Sequence, residues 1–183
     1  MKPDHPDLNH IPGRLLIFTG DGKGKTTAAL GMALRAGGHG QKVLILQFIK
    51  ANQYSGELAA LRLLPGVELV QMGLGFVVPP DDPRFGEHRR RAEEALERAA
   101  EALRSGVYDL VILDEIITAV TKNLLPEEKV AAALRRRNGN GVLVLTGRGA
   151  GPGLLALADT VTEMKNVKHG LQTGWKAQEG VEF

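Results

Sequence analysis

The 183-residue chain has no cysteine. Disulfides and thiolate metal sites are therefore excluded, and the composition suits a reducing compartment, so a cytoplasmic location is expected. Aromatic residues make up only 4%, which leaves few platforms for stacking nucleic-acid bases. Neither sign of charge dominates: 23 Lys and Arg against 21 Asp and Glu give a formal net charge of +2, and no nucleic-acid partner is expected. Of the two arginine triplets, Arg89-Arg90-Arg91 lies among glutamates and reads as a solvated helix face. Arg135-Arg136-Arg137 ends a predicted helix, where cations suit the dipole. No apolar run approaches the roughly 20 residues that span a bilayer, so no membrane partner is expected. The opening stretch, Met1 to Asp7, is polar and proline-containing, unlike a signal peptide.

Against these absences stands one dense motif. The apolar run Leu15-Leu16-Ile17-Phe18 leads into Thr19-Gly20-Asp21-Gly22-Lys23-Gly24-Lys25-Thr26-Thr27, and an amphipathic run follows from Ala28. Strand, glycine-rich turn, Lys-Thr and helix is the arrangement of a phosphate-binding loop. Glycines let backbone N–H groups approach an anion, the helix N-terminus adds positive dipole, Lys25 adds a full charge, and Thr26 offers a hydroxyl to a magnesium ion. The strict pattern G-x-x-x-x-G-K-[ST] places its first glycine at position 19, where this chain has threonine, with glycine one place later. A glycine-rich surface turn is the alternative reading of the tripeptide alone; the flanking strand and helix argue against it.

Strand and helix alternate along the chain. Strands are expected at 14–18, 43–48, 67–72, 110–113, 142–146 and 161–164. Helices are expected at 26–36, ended by Gly37-Gly38, and at 56–64, 87–105, 126–137 and 154–158. Such alternation predicts a parallel sheet with helices on both faces and a ligand beyond the carboxyl ends of the strands. One domain is expected over residues 13–183, preceded by a loose arm, residues 1–12.

A second signal, Leu110-Val111-Ile112-Leu113-Asp114-Glu115, is a buried strand ending in acids, the means by which nucleotide enzymes hold magnesium near phosphates; a helix cap is the alternative reading of the acids alone, and the phosphate loop in the same chain argues against it. The sequence leaves open whether Asp114 or Glu115 meets the metal. Thr146-Gly147-Arg148-Gly149 follows another strand at the same sheet edge, where Arg148 could meet triphosphate oxygens; a surface arginine in a flexible turn is the alternative reading. The five histidines show no metal-ligand spacing, and no nucleophile elbow or Ser-His-Asp pattern occurs. Any nucleophile must come from a substrate.

These pieces together resemble the ATP:corrinoid adenosyltransferases. The match rests on the loop at 19–27, Gln47-Phe48-Ile49-Lys50, Gly56-Glu57, Gly75-Phe76, Asp114-Glu115 and Thr146-Gly147-Arg148-Gly149. Leu157-Ala158-Asp159, Val161-Thr162-Glu163-Met164, Val167-Lys168-His169 and the tail from Gly174 to Phe183 continue it. The displaced glycine is normal in that family. The resemblance implies an α/β, three-layer P-loop NTPase fold (RecA-like) with a mostly parallel central sheet. It also implies a reaction in which the Co(I) of a reduced corrinoid attacks C5′ of ATP and triphosphate leaves. Catalytic roles then fall to Lys25, Glu115 and Phe76. Nucleotide or corrinoid contacts fall to Gly20, Asp21, Gly22, Lys23, Gly24, Lys25, Thr26, Thr27, Arg148, Phe76 and Val78, and magnesium or manganese to Thr26, Asp114 and Glu115. A homodimer and an electron donor such as a reduced flavoprotein are further implications.

Three departures from the family pattern stand out. Asp21 occupies a position usually held by asparagine. Val78 replaces the tryptophan of G-F-T-W, leaving Phe76 as the one aromatic of that pair. Lys50-Ala51-Asn52-Gln53-Tyr54 replaces K-G-x-W. Competing readings are a generic P-loop ATPase or kinase and a non-enzymatic nucleotide-binding module.

Overall fold

Apolar runs form the central strands of this protein, and a computed structural model describes residues 13–52 and 54–181. The expected arm, residues 1–12, lies outside the described residues. The strands are β1 (Leu15–Thr19), β2 (Val43–Gln47), β3 (Val67–Gln71), β4 (Leu110–Asp114), β5 (Val142–Thr146) and β6 (Thr160–Glu163). They form one sheet in the order β3-β2-β4-β5-β1-β6, with every pairing parallel. Every residue of β2 and β4 is buried, as expected of central parallel strands covered on both faces.

The helices are α1 (Lys25–Gly38), α2 (Gly56–Leu61), α3 (Phe85–Ser105), α4 (Ile116–Thr121), α5 (Glu127–Arg135) and α6 (Pro152–Leu155). Side chains alternate along each strand, so the sheet has two apolar faces. Val43, Ile45, Ile112 and Val144 pack with Ala29, Ala33 and Ala36 of α1. Leu44, Leu46, Val111, Leu113 and Leu145 pack with α3, α4 and α5 on the other side. The small alanines let α1 lie close across the middle of the sheet, with its N-terminus over the carboxyl ends of the strands. The first arginine triplet pairs with Glu87, Glu93 and Glu94 on the outer face of α3, as its composition implied.

Several boundaries differ from expectation. Helix α1 runs two residues past the expected Ala36, through Gly37 to Gly38. Gly37 lies in its last turn, where an added Cβ would sit 3.0 Å from Val67 Cγ2, so this glycine serves close packing. Beyond the C-cap residue His39 the chain turns at Gly40, with φ of 72°, where Gln41 N–H donates to Ala36 O and Gly40 N–H to Gly37 O. Pro126 caps α5 rather than occupying its first turn, and α6 is shorter and earlier than its apolar residues suggest. Helix α4 lies where no element was expected, and it opens on the β-branched Ile116-Ile117-Thr118. Burial of Ile116, Ile117 and Ala119 against the core outweighs that propensity.

Candidate functional site

The carboxyl ends of β1, β4 and β5 bring the two sequence signals together. Thr19 is the last residue of β1 and is buried; its Oγ1 accepts from Ala150 N–H at 3.3 Å. That explains the missing first glycine: the position belongs to the strand, and the turn begins at Gly20. Gly24 closes the turn with φ of 111°, a conformation open to glycine but strained for other residues, and α1 starts at the next residue.

Within the loop Lys25 Nζ donates to Gly20 O (2.6 Å) and Gly22 O (2.7 Å). Its ammonium is thus held over the cradle with carbonyl partners that an anion can replace. Partial burial, then the Arg148 guanidinium, lowers its pKa; Asp21 and Glu115 oppose this. Asp21 itself is exposed, and Thr27 is exposed on the first turn of α1. The loop's outer side is tied to the C-terminal part of the chain. Gly22 N–H donates to Met164 O at 2.6 Å, and Lys23 Nζ donates to Val181 O at 2.7 Å.

Strand β5 separates β4 from β1, so the carboxylate reaches the loop through α1 and not through a neighbouring strand. Thr26 Oγ1 donates to Asp114 Oδ1 at 2.8 Å, and Thr146 Oγ1, on the intervening strand, donates to the same oxygen at 2.7 Å. Asp114 is fully buried. On its other side Gln47 Nε2 donates to Asp114 Oδ2 at 3.1 Å. Glu115 follows in left-handed backbone, φ 61°, as the N-cap of α4, with its N–H donated to Thr146 Oγ1 at 2.8 Å. Burial first, then Asp114, pushes its carboxyl above the usual range, against the pull of Lys50, Arg148 and Lys25. Arg148 is exposed at the same edge.

The donor set can be tested against magnesium. Among the described residues no group of three or more His, Cys, Asp and Glu is placed to hold a metal, so an all-protein cage is absent there. Magnesium does not require one: one or two carboxylates, waters and substrate phosphates suffice. A threonine hydroxyl and a buried carboxylate in contact beside a phosphate cradle fit that requirement.

The loop after β3 supplies an apolar feature. Gly75 N–H donates to Ile49 O at 2.8 Å, which ties this loop to the one after β2. Phe76 is 100% exposed and touches no core, whereas Val77 packs inward and Val78 is half-buried. The expected pair is thus split by a residue that anchors the loop. Sequence reading gave no role to Gln47, Thr146, Lys50 or Glu57. Lys50 Nζ meets Glu57 Oε1 at 2.5 Å, and Gln47 Nε2 lies 3.4 Å from the same oxygen. The available signal was a lone amide at the carboxyl end of a buried apolar run, the same position that singled out Asp114.

An open parallel sheet, a glycine-rich loop between strand and helix, and a carboxylate meeting the loop's threonine define a nucleotide-binding protein of the P-loop NTPase type. Comparison with known proteins takes this further. The family model for ATP:corrinoid adenosyltransferase BtuR/CobO/CobP matches residues 12–183. A corrinoid adenosyltransferase of Pseudomonas aeruginosa is 44% identical over 172 residues, covering 93% of this chain and 84% of the relative. That of Escherichia coli K12 is 41% identical, and the corrinoid adenosyltransferase CobA of Salmonella typhimurium 40%, each covering 93% of this chain and 86% of the relative. The chain belongs to the ATP:corrinoid adenosyltransferase family and is an enzyme of that class.

Proposed function

We propose that this protein moves the 5′-deoxyadenosyl group of ATP onto the Co(I) of a reduced corrinoid, cob(I)yrinic acid a,c-diamide or cobalamin, in adenosylcobalamin biosynthesis or salvage. The cobalt electron pair forms the Co–C5′ bond. The C5′–O bond breaks, and its electrons leave with inorganic triphosphate. No protein nucleophile or general base is required, so the protein's tasks are to align C5′ and to stabilise the leaving group. The observation that carries this reading is the convergence of Lys25, Thr26 and Asp114 at the start of α1, in a chain whose family match begins at residue 12.

In this scheme the backbone from Gly20 to Thr27 cradles the triphosphate. Lys25 exchanges the carbonyls of Gly20 and Gly22 for phosphate oxygens, and Arg148 closes on the same charge. Thr26 and Asp114, with Glu115 beside them, hold magnesium or manganese. When bound, the metal neutralises the charge gathering on triphosphate. Phe76 and Val78 face the corrinoid from the loop after β3, where an exposed aromatic ring supports a large apolar ligand. The functional unit is one domain over residues 13–183 with residues 1–12 as an arm. It works as a cytoplasmic homodimer fed by a donor such as a reduced flavoprotein. Family membership does not favour the generic ATPase or kinase.

The test is an anaerobic mixture of protein, ATP, magnesium and chemically reduced cobalamin, followed in the visible spectrum for the cobalt–carbon product. Lys25→Ala is expected to lose about 2–4 kcal/mol of transition-state stabilisation, the effect of removing one preorganised donor. Unchanged turnover in that variant would contradict the role given to Lys25.

A further inference from the structure

Asp114 is held on two sides, and the scheme above uses only one of them. Gln71, Gln47 and Asp114 stand side by side at the carboxyl ends of β3, β2 and β4, since Gln47 is in register with both of the others. Gln47 is fully buried. Its amide orientation is forced by its neighbours. The carboxylates of Asp114 and Glu57 only accept, so Nε2 faces them, at 3.1 and 3.4 Å. Oε1 is left to accept from Gln71 Nε2, at 3.0 Å. Both amide hydrogens and the carbonyl are thereby engaged, on the sheet face where Ile45, Ile112 and α1 are apolar.

We propose that Gln47 is a positioning residue for the metal-binding carboxylate. It clamps Asp114 Oδ2 so that Oδ1 stays directed at Thr26, and Gln71 sets the orientation of the clamp. The inference rests on the magnesium role given to Asp114 and Thr26. Without the Gln47 amide, Oδ2 would lie in the interior with no donor given to it by the sheet, and the carboxylate would be held through Oδ1 alone, by Thr26 and Thr146. Glu57 extends the same network through its contact with Lys50, so the segment after β2 is linked to the carboxylate that faces the phosphate loop.

The experiment uses the full chain with Gln47→Met, which keeps length and volume but has no N–H. ATP binding is measured by calorimetry with magnesium and again with EDTA, and thermal melting is recorded beside it. Outer-shell partners of metal ligands cost about tenfold to a hundredfold in affinity when removed, so magnesium-ATP binding is expected to weaken at least about tenfold while ATP in EDTA changes less than about twofold. Gln71→Met is expected to weaken magnesium-ATP in the same direction but less. Equal loss with and without magnesium would reduce Gln47 to a structural residue and overturn the proposal, as would undiminished magnesium-ATP binding. Should Gln47→Met fail to fold, Gln71→Met and Gln47→Asn carry the same comparison with the same two outcomes. Wild-type protein that binds ATP equally well with and without magnesium would overturn the metal role of Asp114 as well, which separates the two failures.

Discussion

Glu115 combines two local costs. It holds a left-handed backbone at φ 61°, and its carboxyl is half-buried beside Asp114. Strained backbone of this kind costs about 1–3 kcal/mol and is retained where surrounding structure imposes it. Burial and the neighbouring carboxylate raise its pKa above the ordinary 4.5. A raised folded-state value stabilises the fold fully below the unfolded pKa, and the contribution is lost as pH rises through the folded value. Unliganded protein should therefore lose stability as pH climbs above about 4.5, and Glu115→Gln should lose less. Melting temperature against pH for both proteins measures this; curves that stay parallel from pH 4 to 8 would refute it. Lys25, Thr26 and the acid pair Asp114-Glu115 were legible as candidates at this scale because their side chains suit an anion and a metal, but the choice of Asp114 as the partner of Thr26 was not. Gln47 was not, because one amide in an apolar strand announces no chemistry until its neighbours across the sheet are known. The φ of Glu115 was equally hidden, since nothing in a Glu-Ile-Ile sequence calls for it.

The loop between β3 and α3 is the element on which corrinoid chemistry is proposed to depend. Its base is fixed: Met72 N–H donates to Gln47 O at 2.9 Å, Gly75 N–H donates to Ile49 O, and Val77 packs into the core. Its far end is fixed by Arg84, whose side-chain and backbone bonds push the Asp82 carboxyl down to about 2. Phe76 is left pointing outward from a held frame, which suits a contact surface better than a mobile tip. Burying a phenylalanine side chain is worth about 1.5–3 kcal/mol, so Phe76→Ala should slow adenosylation starting from Co(II) by roughly tenfold to a hundredfold. The same variant should be much less impaired with pre-reduced Co(I). Equal slowing from both starting states, measured by product spectra, would remove the corrinoid-facing role given to Phe76. At this scale the central strands were legible from their apolar runs, because a buried parallel strand permits little else, whereas the edge strand β6 is exposed along its whole length. Helix α4 was not legible, and α1 ended two residues beyond the expected Ala36, at the second of the glycines that seemed to stop it. Both depend on packing partners distant in sequence.

For the molecule as a whole, alternation of strand and helix fixed a parallel α/β sheet in advance, but not the order β3-β2-β4-β5-β1-β6. That order places β5 between the strand of the phosphate loop and the strand of the carboxylate. Thr26 then reaches Asp114 from α1, across β5, and Thr146 fills the gap beneath. Among the described residues no helix is long and apolar enough to cross a membrane. The features proposed to bear ligands, phosphate loop, buried carboxylate, Arg148 and Phe76, all lie at or after carboxyl ends of strands, where such sheets bind ligands. The central claim is that carbon, not phosphorus, is attacked. It is tested most directly with ATP carrying oxygen-18 at the oxygen that bridges C5′ and the α-phosphorus, incubated anaerobically with the protein, magnesium and Co(I) cobalamin. The account predicts that the heavy oxygen leaves in inorganic triphosphate as adenosylcobalamin accumulates. ADP and phosphate as the products, with the heavy oxygen still bonded to C5′, would contradict it.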